Sequence, residues 1–294
     1  MKIGVYGQYY QEDAAIYVSE LLDLLQQKNA EVHIERKYCK DLERHGVLKR
    51  TYDTFSSFYD LDNSFDLFIS VGGDGTMLRS VLFVRDLDIP IMGVNTGRLG
   101  FLSTVQKGDI EKAVNAVVSG EYEVRRRSLL QVTTTPGVEE QTEVNFALNE
   151  VAVSRKNTTS MITVNTWLDD EYLTAYWADG LIIATPTGST GYSLSCNGPV
   201  VTPATDAFVL TPIAPHNLSA RPLVIPDKTH IRLSVSGREE YFLIALDSRI
   251  ATLHNDTDIR IEKAPFTIGM VYLTEESFLN TLRQKLLWGE DKRN

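Results

Sequence analysis

Residues 65–71 (FDLFISV), followed at once by 72–76 (GGDGT) and 77–86 (MLRSVLFVRD), decide how this chain folds. The first stretch is a short apolar run rich in aromatic and β-branched residues, which predicts a buried strand. The second is a turn with three glycines around one acid, and the third has an apolar pattern that predicts a helix. Strand, glycine turn and helix in this order form a phosphate cradle, because glycines let the backbone approach an anion and the helix start points N–H groups at it.

Asp74 is the unusual residue of this turn. A carboxylate in a phosphate-binding turn repels the ligand unless it has a chemical task. It can take a proton from a hydroxyl group, or it can hold a divalent metal ion. The alternative is a β-turn whose aspartate caps the next helix. The turn alone leaves both interpretations open.

Composition narrows the class of protein. The 294 residues suit one large or two ordinary domains, and no apolar run reaches transmembrane length. Residues 2–6 already predict a strand, so no signal peptide is expected. The net charge of −10 argues against nucleic acid or an anionic membrane as a partner. Cys39 and Cys196 lie far apart without metal-ligand spacing, which favours a reducing compartment and a cytoplasmic protein.

Strands and helices alternate up to residue 121, which predicts an open, mostly parallel α/β sheet. Residues 39–64 show no clear period and are expected to form an irregular surface connection. In such sheets ligands bind beyond the carboxyl ends of the strands. The GGDGT turn and a second glycine turn at 95–101 (NTGRLGF) are therefore expected to line one crevice. The predicted strands are 2–6, 32–34, 65–71 and 89–94, and the predicted helices are 13–27, 77–86 and 109–118.

After residue 122 the pattern changes to many short strands with little helix, which predicts an all-β domain. Asp169 and Asp170 are expected to form a hairpin turn, and residues 275–288 a final helix. The predicted strands lie within 129–135, 143–154, 161–168, 172–177, 181–184, 208–210, 231–235, 241–246 and 259–262.

Five blocks resemble the NAD kinase family, in the order of that family. The GGDGT turn alone is shared with sugar and lipid kinases, whereas the long block at 179–199 (DGLIIATPTGSTGYSLSCNGP) is specific. The resemblance implies an N-terminal Rossmann-like α/β domain at 1–121 and a β-sandwich-like NAD-binding and oligomerisation domain at 122–267. In the tail at 268–294, a C-terminal helix returns to the first domain. The other blocks are 95–101, 149–150 (NE) and 212–223 (PIAPHNLSARPL).

The resemblance also implies an activity: ATP-dependent phosphorylation of NAD at the 2′-hydroxyl of the adenosine ribose, giving NADP. Asp74 would be the general base or would orient the hydroxyl, and the glycine backbone would hold phosphates. A divalent metal ion, Mg²⁺, is expected with ATP, and no protein ligand for it beyond Asp74 can be read from the sequence. The expected assembly is a homodimer or homotetramer.

Each candidate binding residue also has a plainer interpretation. Asn149 and Glu150 can bind two ribose hydroxyls, or they are an exposed polar pair at a strand end. Arg79 can face phosphates, or it is a solvated helix arginine. The hydroxyls of 185–195 can bind a dinucleotide without adding charge, or they belong to a Ser/Thr-rich loop. The resemblance assigns Asn149 and Glu150 to the adenosine ribose and Asp179 to the nicotinamide end. The full set expected to bind substrates is Gly72, Gly73, Gly75, Arg79, Asn149, Glu150, Asp179, Thr187, Thr190, Gly191, Tyr192, Ser193, Leu194, Ser195 and Ala214.

The chain departs from the family pattern at several positions. Cys196 and Asn197 stand where an Ala-Gly pair is common, Trp177 where a basic residue is frequent, and Arg249 where a glutamine is common. These departures concern the nicotinamide-end and phosphate contacts. Two other functions stay open: a sugar or lipid kinase that shares the turn, and a non-catalytic NAD(P)-binding sensor.

Overall fold

The computed structural model describes residues 1–8, 14–137, 144–157, 160–273 and 277–287. The chain divides into two compact units, Met1–Arg126 with Ile268–Asn294, and Arg127–Thr267. The domain limits expected from the sequence stay a prediction. Among the described residues, no helix is long and apolar enough to cross a membrane.

The first unit contains a sheet in the order β3-β2-β1-β4-β5-β20-β7, with β6 paired to β5. The pairs β2–β3, β1–β2, β1–β4, β4–β5 and β5–β20 are parallel, which confirms the predicted parallel α/β sheet. The strands, numbered along the chain, are β1 (Lys2–Gly7), β2 (Glu31–Glu35), β3 (Asp53–Phe55), β4 (Leu67–Val71), β5 (Ile91–Asn95), β6 (Val105–Gln106), β7 (Tyr122–Arg127) and β20 (Ile268–Leu273).

Five helices belong to this unit, and the apolar face of each longer one joins the core. Helix α1, for example, buries four apolar residues at helical spacing, Val18, Leu21, Leu22 and Leu25. The final helix lies within the first unit, as expected, although residues 275, 276 and 288 of the predicted span lie outside the described residues. The helices are α1 (Ala14–Gln27), α2 (Arg36–Arg44), α3 (Asp74–Val84), α4 (Ile110–Ser119) and α6 (Phe278–Leu286).

The prediction that residues 39–64 form an irregular connection is wrong. Helix α2 occupies their first part and strand β3 their middle part. Glu35 begins the helix by accepting hydrogen bonds from the backbone N–H groups of Lys37 and Tyr38 at 3.0 and 2.8 Å. The helix has only nine residues and one narrow apolar face. It therefore spans too few turns for the helical period to be detected in the sequence. Its buried residues are Tyr38, Cys39 and Leu42.

The second unit consists of two six-stranded sheets, in the orders β15-β14-β13-β10-β17-β18 and β12-β11-β16-β19-β8-β9. Residues from both sheets share one apolar core, which confirms the β-sandwich-like prediction. The predicted hairpin turn at Asp169 and Asp170 joins two of the strands. The strands are β8 (Leu130–Thr135), β9 (Phe146–Ala147), β10 (Glu150–Arg155), β11 (Ile162–Leu168), β12 (Glu171–Ala178), β13 (Gly180–Ala184), β14 (Ala207–Ile213), β15 (Leu223–Pro226), β16 (Ile231–Gly237), β17 (Tyr241–Leu246), β18 (Arg249–His254) and β19 (Asp258–Lys263), and one short helix is α5 (Tyr192–Ser195).

Strand pairing brings the sequence motifs together within each unit. In the first unit, β4 and β5 are parallel neighbours with Val71 opposite Val94, so both glycine turns follow strands that end at the same edge. In the second unit, β10 is antiparallel to β13 and to β17, with Glu150 opposite Ala184. The start of β10 therefore lies beside the ends of β13 and β17.

Candidate active site

In the first unit the Asp74 carboxylate is held by the backbone of the second glycine-turn region. Its Oδ2 accepts a hydrogen bond from the Phe101 N–H at 2.8 Å. Its Oδ1 accepts from the N–H groups of Leu102 and Ser103 at 3.0 and 3.1 Å. Gly73, not Asp74, is the N-cap of helix α3. The interpretation of Asp74 as a helix cap is therefore wrong, and the carboxylate instead joins the two turns.

Gly100 makes room for this carboxylate. A Cβ atom at position 100 would lie 1.9 Å from Asp74 Oδ1 and 2.7 Å from its carboxyl carbon. Only glycine fits at this separation. The sequence shows the glycine, but its tie to Asp74 depends on a contact across 26 residues that no local pattern reports.

A cavity of about 370 Å³ lies beside the GGDGT turn, within the first unit. Both glycine turns line it, as expected. Arg79 of helix α3 and Arg98 of the second turn also line the cavity, and they supply positive charge. Sequence reasoning selected Arg79 and missed Arg98, although Arg98 lies inside the quoted NTGRLGF block. The other residues that line the cavity are Gln8, Ala14, Gly72, Gly73, Gly75, Thr76, Asn95, Thr96 and Gly97.

The three glycines of the turn are of two kinds. Gly72 has φ +146° and a Cβ there would lie 2.4 Å from the Thr76 hydroxyl, so the fold itself requires glycine. At Gly73 and Gly75 a Cβ would meet nothing within 4 Å. Neither has a positive φ. Nothing in the described protein explains why positions 73 and 75 lack a side chain, and both border the cavity.

In the second unit, Asn149 and Glu150 stand at the start of β10 beside the turn that follows β13. Glu150 is 9% exposed, and its Oε2 and the Asn149 Oδ1 are both buried without a hydrogen-bond partner in the described residues. A Cβ at Gly191 would lie 3.2 Å from that Oε2. Two buried acceptors on adjacent residues are expected to receive donors from a ligand, because an unmet buried polar atom is costly.

Glu150 has unusual electrostatics. Burial, together with the negative charge of Asp247, raises the pKa of the Glu150 carboxyl to about 8, and a hydrogen bond from the Tyr192 backbone N–H opposes the rise only in part. Perturbed carboxyls of this kind concentrate at functional sites. The exposed polar pair considered as an alternative is thus wrong for Glu150.

The hydroxyl-rich run 185–195 is built largely by its own side chains. The Thr185 hydroxyl donates to the Leu148 carbonyl at 2.6 Å, and the Ser189 hydroxyl donates to the Pro186 carbonyl at 2.7 Å. Ser193 Oγ lies 2.8 Å from Thr211 Oγ1. These three hydroxyls are fully buried and shape the turn. The sequence predicts that Ser193 contacts the dinucleotide. Its side chain is instead buried and hydrogen-bonded within the protein.

The remaining residues of the run differ in exposure. Thr187 is buried, and Thr190, Gly191 and Leu194 are half-buried. Tyr192 is 44% exposed. Burial raises the pKa of the Tyr192 phenol, with smaller effects from the charges of Cys196, Asp179 and Glu150. Ser195 is exposed.

Asp179 lies at the opposite end of β13 from the turn, roughly 16 Å away by strand rise. Its carboxylate pairs with Arg155 at 2.9 Å, and its backbone N–H donates to the Ile213 carbonyl at 2.9 Å. Ala214, which follows Ile213 in the chain, is exposed and has φ +43°. Trp177 is 46% exposed and lies 4.5 Å from the ring of His216. The charge of Asp179 nevertheless acts on the Tyr192 phenol, so the candidate residues at the two ends of β13 are electrostatically linked. Neither Arg155 nor His216 was selected from the sequence.

One departure from the family pattern, Arg249, has a structural role. The Arg249 guanidinium donates to the Val144 carbonyl at 2.7 Å and to the Phe146 carbonyl, which anchors the chain just before Asn149. Cys196 is a half-buried free thiol that follows helix α5.

Among the described residues, no group of three or more His, Cys, Asp or Glu side chains could hold a metal ion.

Comparison with known proteins supplies the family. The ATP-NAD kinase N-terminal domain matches residues 3–122, and the ATP-NAD kinase C-terminal domain matches residues 148–273. The NAD kinase of Christiangramia forsetii is 60% identical over 294 residues, and that of Flavobacterium psychrophilum 55%, each covering 100% of both chains.

Two solved structures share the fold. Yeast NADH kinase complexed with NADH superposes with a TM-score of 0.88 at 24% identity, covering 99% of this chain and 88% of that one. An NAD kinase from Archaeoglobus fulgidus in complex with ATP superposes with a TM-score of 0.75 at 28% identity, covering 98% and 99%. Family models match most of this chain, and relatives match its full length. The chain therefore belongs to the NAD kinase family.

Proposed function

We propose that this protein transfers a phosphoryl group from ATP to the 2′-hydroxyl of the adenosine ribose of NAD, giving NADP. Family membership over the whole chain sets aside the sugar or lipid kinase. The single structural observation that carries the proposal is the fixed Asp74 carboxylate between two glycines that border an open cavity. A non-catalytic sensor would give that carboxylate no task.

Asp74 has the geometry of a hydroxyl acceptor. A carboxylate offers about four lone-pair positions. Three are taken by the N–H groups of Phe101, Leu102 and Ser103, two on Oδ1 and one on Oδ2. The remaining position on Oδ2 is free to accept the ribose hydroxyl, orient it and take its proton. Because the carboxylate is already held in place, little reorganisation is needed at the moment of transfer.

The cavity of the first unit supplies the phosphate site. Gly73 and Gly75 leave open space for phosphate oxygens, and the start of helix α3 directs N–H groups at it. Arg79 and Arg98 bring the charge that a protein of net charge −10 must provide locally. The archaeal relative was solved with ATP, which supports the same donor here.

Mg²⁺ is proposed to arrive with ATP. The described residues offer no cluster of metal ligands, and Mg²⁺ is commonly bound by one or two carboxylates together with substrate phosphates. Because the remaining lone-pair position of Asp74 is assigned to the ribose hydroxyl, the ATP phosphates and water would hold the ion, with Asp74 nearby as a negative charge. When bound, the ion neutralises charge on the phosphates.

In the second unit, Asn149 and Glu150 are proposed to bind the adenosine ribose, since their buried acceptors lack partners in the described protein. Gly191, Tyr192 and the neighbouring residues 187–195 would contact the dinucleotide, mostly through the backbone. Asp179 and Ala214, at the far end of β13, would contact the nicotinamide end. The two groups of residues suit an extended ligand.

A cytoplasmic location and a homo-oligomer complete the proposal. Both cysteines are free thiols, as expected for a reducing compartment. Strand β12 is the edge of its sheet, and it exposes Tyr172, Leu173 and Trp177, with Tyr172 54% exposed. An exposed apolar edge strand favours cover by another chain.

Asp74→Asn should abolish most of the turnover. Removal of the base should lower kcat by about 10²–10⁴-fold in an assay of NADP formed from ATP, Mg²⁺ and NAD. NAD binding should persist. The exposed Asp86, twelve residues on, offers the matched control, and Asp86→Asn should keep wild-type turnover. Near wild-type kcat in folded Asp74→Asn would refute the catalytic role.

Glu150→Ala should weaken NAD binding selectively. At about pH 9, where the Glu150 carboxyl is ionised, a lost hydrogen bond to a charged group costs about 1.5–3 kcal/mol, which is about a tenfold to hundredfold loss of affinity. The KM for ATP should stay within about twofold of the wild type, because the ribose site and the phosphate cavity are built by separate residues. Isothermal titration with NAD, and KM values for both substrates, test this. Equal losses for both would place Glu150 in the fold and not in the ribose site.

Gly75→Ala and Gly100→Ala separate a glycine needed by the ligand from one needed by the fold. The Gly75 variant should keep its free energy of unfolding, or gain up to about 1 kcal/mol from helix propensity, while its KM for ATP rises. The Gly100 variant should lose about 1–3 kcal/mol, because its Cβ would overlap Asp74. Urea unfolding and ATP kinetics give both values. A large stability loss in Gly75→Ala would mean that the fold, not a phosphate, requires that glycine.

The molar mass of the protein in solution tests the proposed homo-oligomer. Light scattering coupled to size exclusion should give two or four times the 33.0 kDa of one chain. A mass of 33.0 kDa at micromolar concentration would contradict the homo-oligomer.

A further inference from the structure

Asp247 is a half-buried residue to which sequence reasoning gave no function. It lies in the tight turn between β17 and β18, with φ +52°. Its Oδ1 accepts hydrogen bonds from the N–H groups of Asn149 and Glu150 at 2.8 and 3.2 Å, and its Oδ2 accepts from the Leu148 N–H at 3.0 Å. Its own N–H donates to the Glu150 carbonyl at 2.9 Å. Four hydrogen bonds thus join this turn to three consecutive residues.

Two of these residues, Leu148 and Asn149, are also held by the turn after β13. The Asn149 carbonyl accepts the Thr185 N–H at 2.8 Å, and the Leu148 carbonyl accepts the Thr185 hydroxyl. A Cβ at Gly188 would lie 2.0 Å from the Asn149 carbonyl oxygen. The backbone of residues 148–150 therefore has no room to shift, and the side chains of Asn149 and Glu150 leave it in fixed directions.

We propose that Asp247 is a positioning residue of the NAD site, whose carboxylate fixes the backbone that presents Asn149 and Glu150. The inference rests on the proposed binding of the adenosine ribose by these two residues. Asp247 acts through the three residues whose N–H groups it accepts.

The charges around the pair favour one protonation state. Asp247 faces three N–H donors and Arg249, and these oppose the rise in its pKa that burial causes. Glu150 faces Asp247 and receives the Tyr192 backbone N–H, and burial together with Asp247 raises its pKa to about 8. Glu150 therefore keeps its proton up to about pH 8.

Binding of a ribose diol by the Glu150 carboxylate then requires that this proton leave. With a pKa of about 8, the ionised fraction at pH 7 is about one tenth, so NAD affinity should rise about tenfold between pH 7 and 9. Above the midpoint the affinity should level off. Below it, each NAD bound should release close to one proton to the solvent.

Asp247→Asn tests the charge while it preserves most of the geometry. The amide oxygen can keep the bonds to Asn149 and Glu150, and the Leu148 N–H loses its acceptor. The midpoint of NAD affinity against pH, measured by calorimetry from pH 5.5 to 9.5, should move down by at least one pH unit. Asp247→Ala removes all the acceptors and should weaken NAD binding at least tenfold at pH 9, with the KM for ATP within twofold of wild type.

Asp169→Asn is the matched control. Asp169 also occupies a turn with positive φ, and it accepts a backbone N–H, that of His230, at 2.9 Å. This variant should leave both the NAD midpoint and the NAD affinity unchanged.

An unshifted midpoint in folded Asp247→Asn would overturn the inference and leave Asp247 as a turn residue. Wild-type NAD affinity in Glu150→Ala would overturn it as well, because the residue that Asp247 positions would then not bind NAD. Failure of the proposed phosphorylation would instead appear as absence of NADP from the wild-type assay. The calorimetric midpoint remains decisive for Asp247 in that case, since it measures binding and not turnover.

Discussion

Each unit of this protein depends on one aspartate that accepts hydrogen bonds from three consecutive backbone N–H groups. Asp74 holds residues 101–103, and Asp247 holds residues 148–150. Turns cannot satisfy their own N–H groups as helices and sheets do, and an unmet buried donor is costly. A carboxylate meets several donors at once, and its bonds are stronger than those of neutral acceptors. Irregular backbone can therefore stay fixed at these two places, one in each unit.

Two different constraints apply to the glycines of the candidate residues: close packing within the fold and room for a ligand. Gly100 and Gly188 lie so close to Asp74 and to the Asn149 carbonyl that the fold excludes any side chain. Gly73 and Gly75 meet no such limit within the described protein. In the family context, the space above these two glycines is best explained by a phosphate group that approaches the backbone. A glycine-rich motif thus combines positions that build the turn with positions that leave room for the ligand.

Much of the fold could be predicted from the sequence, for identifiable reasons. The strand at 65–71 is an apolar run followed by glycines, and the stretches after residue 122 are short and rich in strand-forming residues. Helix α2 was missed because its nine residues bury only three side chains. For the site, Asp74, Asn149 and Glu150 stood out in recognisable motifs. Asp247 did not, since a single aspartate before a strand signals no more than a turn until its partners, about 98 residues away, are known.

The hydroxyl run 185–195 shows a further limit of sequence reading. A serine that binds a ligand and a serine that closes its own turn look identical in the sequence. Ser189 and Ser193 are of the second kind, each bonded inside the protein and fully buried. Composition therefore overstated how many hydroxyls face the dinucleotide, and the backbone groups of this turn are left as the main candidates for contact.

The backbone at residues 148–150 is fixed by hydrogen bonds from Asp247 and from Thr185. This affects both the rate and the affinity with which a ligand can bind there. Ordering one residue of backbone costs about 1–2 kcal/mol of conformational entropy. Here the bonds from Asp247 and Thr185 impose that cost when the chain folds, so it does not recur when the dinucleotide arrives. Association at the ribose end should therefore be governed by diffusion and desolvation, with no slow loop-ordering step at this segment.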